Sequence, residues 1–246
     1  MMTSSLQDRF LTKGYAHVEQ LLEEEEVRTL RHIYQKLLAD KERTKGLRSD
    51  LAGEHTDTKQ IERITQVMRP SWVEEALATM PIYTTALRCA QDLLGEDMAF
   101  DFDMLINKAP HTNTPTPWHQ DAAYWIDLPD RRAVSIWVAL DDVDENNGCM
   151  WFIPRKSTFE VLPHQSLNGK GALYCEPIGR EQAEAIPLSK GGCTFHDGYT
   201  LHFSRGNTTD RQRRALILNF RPKAMIELER SQGYDHTGGR TFRNKK

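Results

Sequence analysis

The four cysteines, Cys89, Cys149, Cys175 and Cys193, include no C-x-x-C pair and no spacing that suits a zinc site. Free thiols in a reducing compartment are the expectation. No apolar run approaches the ~20 residues that a membrane helix needs, and the opening MMTSSLQDRFLTKGY lacks the hydrophobic segment of a signal peptide. The final Asn244-Lys245-Lys246 is no peroxisomal SKL-type address, so the expected location is cytoplasmic. Nor does one sign of charge dominate. A formal net charge of −3 leaves no basic field for nucleic acid or an anionic membrane, and the small basic tail at 240–246 reads as solvated. Internal repeats and low-complexity blocks are also missing, so the chain divides by pattern alone.

What is present is an ordinary globular composition, 39% hydrophobic and 27% charged, enough to bury a core in one domain over residues 1–246. In residues 23–38 the apolar positions Val27, Leu30, Ile33, Tyr34, Leu37 and Leu38 recur at helical spacing, which predicts an amphipathic helix covering a flat surface. Residues 40–60, polar and containing Gly46 and Gly53, read as a mobile connection. Ser71 and Glu74 after Pro70 have the spacing of a capping box, and a second helix is expected from Pro81 to Gly95.

From residue 97 the period changes to two, with Met98, Phe100, Phe102, Met104 and Ile106 alternating with more polar neighbours. Further strands are expected at 118–125, 133–140, 149–153, 193–195 and 215–220. A helical N-terminal part (about 1–96), a core of strands (about 97–222) and a tail (223–246) predict a mainly β fold, a double-sheet barrel with helices on one outer face.

His119-Gln120-Asp121 is the most informative tripeptide. Alternation along a strand sends His119 and Asp121 to one side and Gln120 to the other. Two imidazoles and a carboxylate form the facial triad that leaves one face of iron(II) open. Two histidines downstream, His196 and His202, are candidates for the third ligand. His202 is preferred because Ser204, Asn207 and the cations at 211–214 follow it, and a cation there can clamp the far carboxylate of a 2-oxo diacid. An H-x-D alone recurs by chance, and an arginine cluster is ordinarily a solvated face. The ordered combination is what carries the reading.

These residues resemble the phytanoyl-CoA dioxygenase-like family of Fe(II)/2-oxoglutarate oxygenases. The resemblance runs from Gly14-Tyr15 to about Pro222, through MLINKAP at 104–110, WHQDAAYW at 118–125, SIWVALDDVDENNGCMWFIP at 135–154 and LHFSRGNTTDRQRR at 201–214. It implies a double-stranded β-helix (jelly-roll, cupin-like) core flanked by helices. It also implies that His119, Asp121 and His202 hold Fe(II), that Arg213 grips the far carboxylate of 2-oxoglutarate with Ser204 in support, and that Met104 and Trp137 line the co-substrate pocket. Gln66 matches a polar residue contacting 2-oxoglutarate near the metal, with Arg63 as its rival; for Met104 and Trp137 the alternative is plain strand core.

Where the family often reads Pro-Gly-Ser-His, this chain has Pro154 followed by Arg155-Lys156-Ser157-Thr158, a basic pair expected to face solvent. Halogenating relatives replace the carboxylate at the position of Asp121, so its retention favours hydroxylation. The implied reaction consumes O2 and 2-oxoglutarate, releases succinate and CO2, and oxidises a C–H bond of a small molecule. It demands no general acid or base, so His196 and Asp197 are expected to be structural or to hydrogen-bond a ligand. Tyr124, Trp125, Trp151 and the loop 111–117 are candidates for the mouth, and 159–184 for a lid. A metal protein using O2 alone, a 2-oxoglutarate binder without turnover, and a purely structural β-sandwich are the competing readings.

Overall fold

The computed structural model describes residues 4–53, 61–155, 159–166 and 172–237. In chain order they form α1 (Ser4–Lys13), β1 (Tyr15–Val18), α2 (Glu24–Ala39), β2 (Arg48–Asp50), β3 (Ile64–Met68), α3 (Pro70–Val73), α4 (Pro81–Leu94), β4 (Met98–Lys108) and β5 (Thr116–His119). There follow β6 (Val134–Ala139), β7 (Met150–Phe152), β8 (Gln165–Ser166), β9 (Leu173–Tyr174), β10 (Glu184–Ile186), β11 (Cys193–His196), β12 (His202–Ser204), β13 (Arg213–Pro222) and α5 (Lys223–Ser231). Seven strands make one sheet in the order β1-β11-β6-β13-β4-β3-β2, four make a second in the order β10-β7-β12-β5, and β8 and β9 form a small ribbon.

Alternation in the central strands assigns the two faces of the large sheet. Val134, Ile136 and Val138 of β6 and Leu216, Leu218 and Phe220 of β13 share a core with Val27, Leu30, Tyr34 and Leu37 of α2 and Ile82, Ala86, Ala90 and Leu93 of α4. The intervening residues, Trp137, Ala139, Ala215 and Ile217, pack the other way against Met150 and Phe152 of the small sheet. The result is the double-stranded β-helix, or jelly roll, with helices on one outer face and a chamber between the sheets. No helix among the described residues is long and apolar enough to cross a membrane.

The helix ends follow local chemistry. At the start of α2 the Glu26 carboxylate accepts the Glu23 N–H at 3.2 Å, and Glu24, Glu25 and Glu26 sit where the helix dipole favours acid. Pro81 occupies the first turn of α4, and Gly95 closes it at φ +121.

Several expectations are corrected. The N-terminal part is not helical alone: beside α1–α4 it carries β1, β2 and β3, which belong to the large sheet. Strands this short offer few alternations, and all residues of β3 are buried, so period two is invisible there. The capping box at Ser71 does not form. The Ser71 hydroxyl and N–H both donate to Asp103 at 3.1 Å, Glu74 pairs with Arg43, and α3 is one short turn. The strand expected over 118–125 ends at His119, and Asp121–Tyr124 form a 3-10 turn. Residues 40–53 are not merely a connection, since they include β2; 54–60 lie outside the described residues, as does the basic tail 240–246. The supposed tail begins with a helix, α5, whose Glu229 is fully buried.

A β-bulge explains that burial. Pairing of β13 with β4 shifts between Asn219 and Phe220, so that Asp101 has no partner in register. Asp101 joins Glu229, Arg221, Arg230 and His236 in an ion cluster, with Arg221 Nε 2.6 Å from Asp101 and His236 Nε2 2.8 Å from Glu229. Asp101, Glu229 and His236 are close enough to hold a metal, but Arg221 and Arg230 already occupy both carboxylates. Replacing Arg221 by Met leaves the two buried acids to Arg230 and His236 alone, and a loss of about 3 kcal/mol, the low end for breaking a buried ion pair, is expected, read from urea unfolding of the variant.

Candidate active site

His119 closes β5 directly opposite His202 on β12, which brings their ring centroids to 4.1 Å. Each ring is oriented by its own backbone: His119 Nδ1 lies 2.8 Å from the Pro117 carbonyl, and His202 Nδ1 lies 3.0 Å from that of Thr200. With Nδ1–H donating to these carbonyls, each Nε2 keeps a lone pair for a metal. Gln120 is extended and points away. Its amide donates to Glu160 and Tyr199 carbonyls at 2.9 and 2.7 Å and its oxygen accepts the Leu162 N–H.

Asp121 then opens the 3-10 turn, and its two oxygens have different neighbours. Oδ1 lies 3.8 Å from His119 Nε2 and 3.6 Å from His202 Nε2. Oδ2 accepts the Ser135 hydroxyl at 2.9 Å and lies 3.3 Å from His196 Nε2. Behind it, Asn219 Nδ2 donates to Ser135 Oγ at 3.0 Å. Oδ2 is thus tethered to the large sheet and Oδ1 is left for coordination. Burial works against ionisation of Asp121, but His202, His196 and His119 outweigh it and hold the carboxyl below its ordinary range. Burial, followed by His119 and His196, pushes His202 well down, towards the neutral imidazole that binds metal.

The ligand atoms of His119, Asp121 and His202 all lie within 4.8 Å of one another. This donor set fits iron(II), with two neutral nitrogens and one carboxylate oxygen on a single side. His196 is also on the cavity wall, on the Oδ2 side of Asp121, with its ring 4.5 Å from that of His202. Asp197 binds the Tyr199 N–H and Thr200 hydroxyl and pairs with Arg155 at 2.6 Å. Arg155 was expected to face solvent. Its side chain is instead largely buried, because Asp197 is itself buried and needs a counter-charge; Lys156 lies outside the described residues.

The triad opens on a cavity whose wall includes Met104, Trp137, Ser204 and Arg213. Gln66 stands one layer back, its amide 3.0 Å from Met104 Sδ. Its rival Arg63 is turned to the Ala52 carbonyl, and neither residue is on the described wall. Arg213 is buried, donates through Nε and Nη2 to the Gly148 carbonyl at 2.9 and 2.6 Å, and lies over the Trp137 ring at 4.6 Å. Among the described residues no carboxylate pairs with it. Burial lowers its pKa to about 10, which leaves it charged at neutral pH. Its neighbour Arg214 points the other way, onto Asp141.

Of the residues expected at the mouth, Tyr124 and Thr116 are on the wall. Trp125 packs beneath Arg221, and Trp151 beneath Arg205. Of the segment 159–184, Ala172 is on the wall, and the Leu173 N–H donates to the Tyr124 hydroxyl at 2.7 Å. Residues 167–171 lie outside the described set. Sequence reasoning missed Ser135 and Asn219. Their signal was a polar side chain at an inward position of an otherwise apolar strand, in VSIW and ALILNF.

The family model for phytanoyl-CoA dioxygenase (PhyH) matches residues 10–215. Phytanoyl-CoA dioxygenase domain-containing protein 1 of Bos taurus is 35% identical over 124 residues, covering 47% of this chain and 42% of that protein, so the match spans under half of that relative's length. The probable alpha-ketoglutarate-dependent hypophosphite dioxygenase of Stutzerimonas stutzeri is 25% identical over 240 residues, 89% of this chain and 78% of that protein. The crystal structure of EvdO2 from Micromonospora carbonacea var. aurantiaca complexed with 2-oxoglutarate aligns with a TM-score of 0.72 at 28% identity, over 89% of this chain and 91% of that one.

Removing the tether on Oδ2 tests the geometry of the centre. Ser135→Ala is expected to weaken metal binding by ~10–100-fold, as loss of a ligand's hydrogen-bond partner does elsewhere. Mn(II) binding followed by electron paramagnetic resonance reads this directly, with circular dichroism expected to be unchanged.

Proposed function

The chain belongs to the phytanoyl-CoA dioxygenase family, and on that premise we propose that it is an iron(II)- and 2-oxoglutarate-dependent dioxygenase that hydroxylates a C–H bond of a small molecule. The observation that carries the proposal is a His-Asp-His triad sharing one cavity with a buried arginine that no described carboxylate neutralises. A 2-oxo diacid offers a chelating group for the metal at one end and a counter-charge for Arg213 at the other.

Each residue then has a task. His119, Asp121 and His202 hold the iron, which when bound supplies the O2-activating chemistry. Arg213 takes the distal carboxylate, with Ser204 beside it on the wall. Met104 and Trp137 form the apolar sides, and Trp137 also fixes the Arg213 guanidinium by its ring face. Gln66 acts through Met104, whose sulfur it contacts. The overall change takes R–H, O2 and 2-oxoglutarate to R–OH, succinate and CO2, so no side chain has to supply or remove a net proton. Retention of the Asp121 carboxylate, with Oδ1 turned to the two imidazoles, favours hydroxylation over halogenation.

Anaerobic addition of Fe(II) and then 2-oxoglutarate is expected to give a weak visible charge-transfer band, absent in His202→Ala. Iron binding without the band would remove 2-oxoglutarate from the scheme. Arg213→Met is expected to keep metal binding but weaken 2-oxoglutarate by about 30-fold or more, as loss of a desolvated charge partner does, measured by titrating the same band.

A further inference from the structure

Two cations stand directly across from each other on neighbouring strands, Lys108 on β4 and Arg213 on β13. Both are buried. Like charges in that register repel, and burial adds a desolvation cost to each. Neither has a carboxylate partner among the described residues.

Lys108 is nevertheless well held. Its Nζ donates to the carbonyls of Arg205 at 2.6 Å, Ser204 at 3.1 Å and Thr114 at 3.3 Å. Three acceptors match the three N–H bonds of an ammonium and are one too many for a neutral amine. The carbonyls therefore keep the proton in place, although burial and Arg213 push the Lys108 pKa down.

The same contacts shape the end of the cavity around Arg213. Ser204 is on the cavity wall, and the Lys108 ammonium fixes its backbone. Gly148, whose carbonyl takes both Arg213 donors, has φ +98, and a Cβ there would come within 2.5 Å of the Arg205 carbonyl and 3.4 Å of Lys108 Cδ. Glycine is required at that point, and the Lys108 stem packs beside it. One side chain thereby ties β4 to the end of β12 and to the loop that orients Arg213.

We propose that Lys108 is a positioning residue for 2-oxoglutarate: its ammonium anchors the Ser204–Arg205 backbone and places a second positive charge behind Arg213, so that the distal carboxylate meets two cations at this end of the cavity. The proposal rests on the reading of Arg213 as the distal-carboxylate clamp. The bound carboxylate would offset part of the repulsion between the two cations.

The test compares Lys108→Gln, which keeps two N–H donors without the charge, and Lys108→Met with the unsubstituted protein and with Arg213→Met. Affinity for 2-oxoglutarate, from the Fe(II) charge-transfer titration, is expected to fall about tenfold or more in both Lys108 variants, with Mn(II) affinity unchanged. Unchanged 2-oxoglutarate affinity, or equal losses of Mn(II) and 2-oxoglutarate binding, overturns the proposal, because the second pattern is that of a merely structural lysine. If Arg213→Met weakens 2-oxoglutarate and the Lys108 variants do not, only the role of Lys108 falls; if Arg213→Met has no effect, the clamp reading falls with it. Should both Lys108 variants unfold, the Zn(II)-loaded unsubstituted protein labelled with 15N-lysine decides. A protected ammonium resonance at neutral pH that moves on addition of 2-oxoglutarate supports the proposal, and one that stays fixed at saturation overturns it.

Discussion

Side chains on a strand alternate between faces, and in β4, β6 and β13 that alternation separates stability from chemistry. Val134, Ile136 and Val138 look out to the helices, while Ser135 and Trp137 look in to the chamber. On β13, Leu216, Leu218 and Phe220 look out, while Arg213, Ile217 and Asn219 look in. A slip of one residue would turn the helix-binding face to the chamber and the site to the helices. Packing of α2 and α4 therefore fixes the register on which every inward side chain depends.

The metal centre shows how far that register reaches. Asp121 sits on a short 3-10 turn outside both large ladders, and its Oδ2 is brought to order by Ser135 and, through it, by Asn219 on the next strand. His119 and His202 come from the small sheet, where each ring is fixed by a carbonyl two residues earlier. The triad thus spans both sheets: two nitrogens from one, and a carboxylate tethered to the other. The spacing of the sheets, set by residues such as Met150, Phe152 and Ile217, becomes the spacing of the ligands.

Electrostatics adds a second theme, since buried charges among the described residues are met in contrasting ways. Asp101 and Glu229 meet Arg221 and Arg230 in a closed cluster that pins α5 to the bulge in β4. Arg155 and Asp197 form an isolated buried pair. Lys108 and Arg213 donate to backbone carbonyls and have no carboxylate partner among the described residues. A closed cluster serves the fold, because each charge finds its opposite at home; an unbalanced pair of cations beside a cavity is suited to a ligand that brings negative charge with it.

Residue pattern was enough for a mainly β class, the two long helices, the strands β4, β6, β7, β11 and β13, and the pairing of His119 with Asp121, whereas His202 was preferred to His196 for the residues that follow it. These are periodic or short-range features: apolar residues at helical spacing in α2, alternation in β4, and His119 and Asp121 two residues apart in extended chain. The sequence also marked Met104, Trp137, Ser204 and Arg213, all of which are on the cavity wall. Only the tertiary structure decided where β1, β2 and β3 pair, because three to five residues carry too little pattern to declare a partner. It alone turned Arg155 inward to Asp197 and set Lys108 opposite Arg213. Local sequence records which residues can be buried, whereas the charge each one meets is settled by strands that lie a hundred residues or more apart in some pairs, as between Lys108 and Arg213.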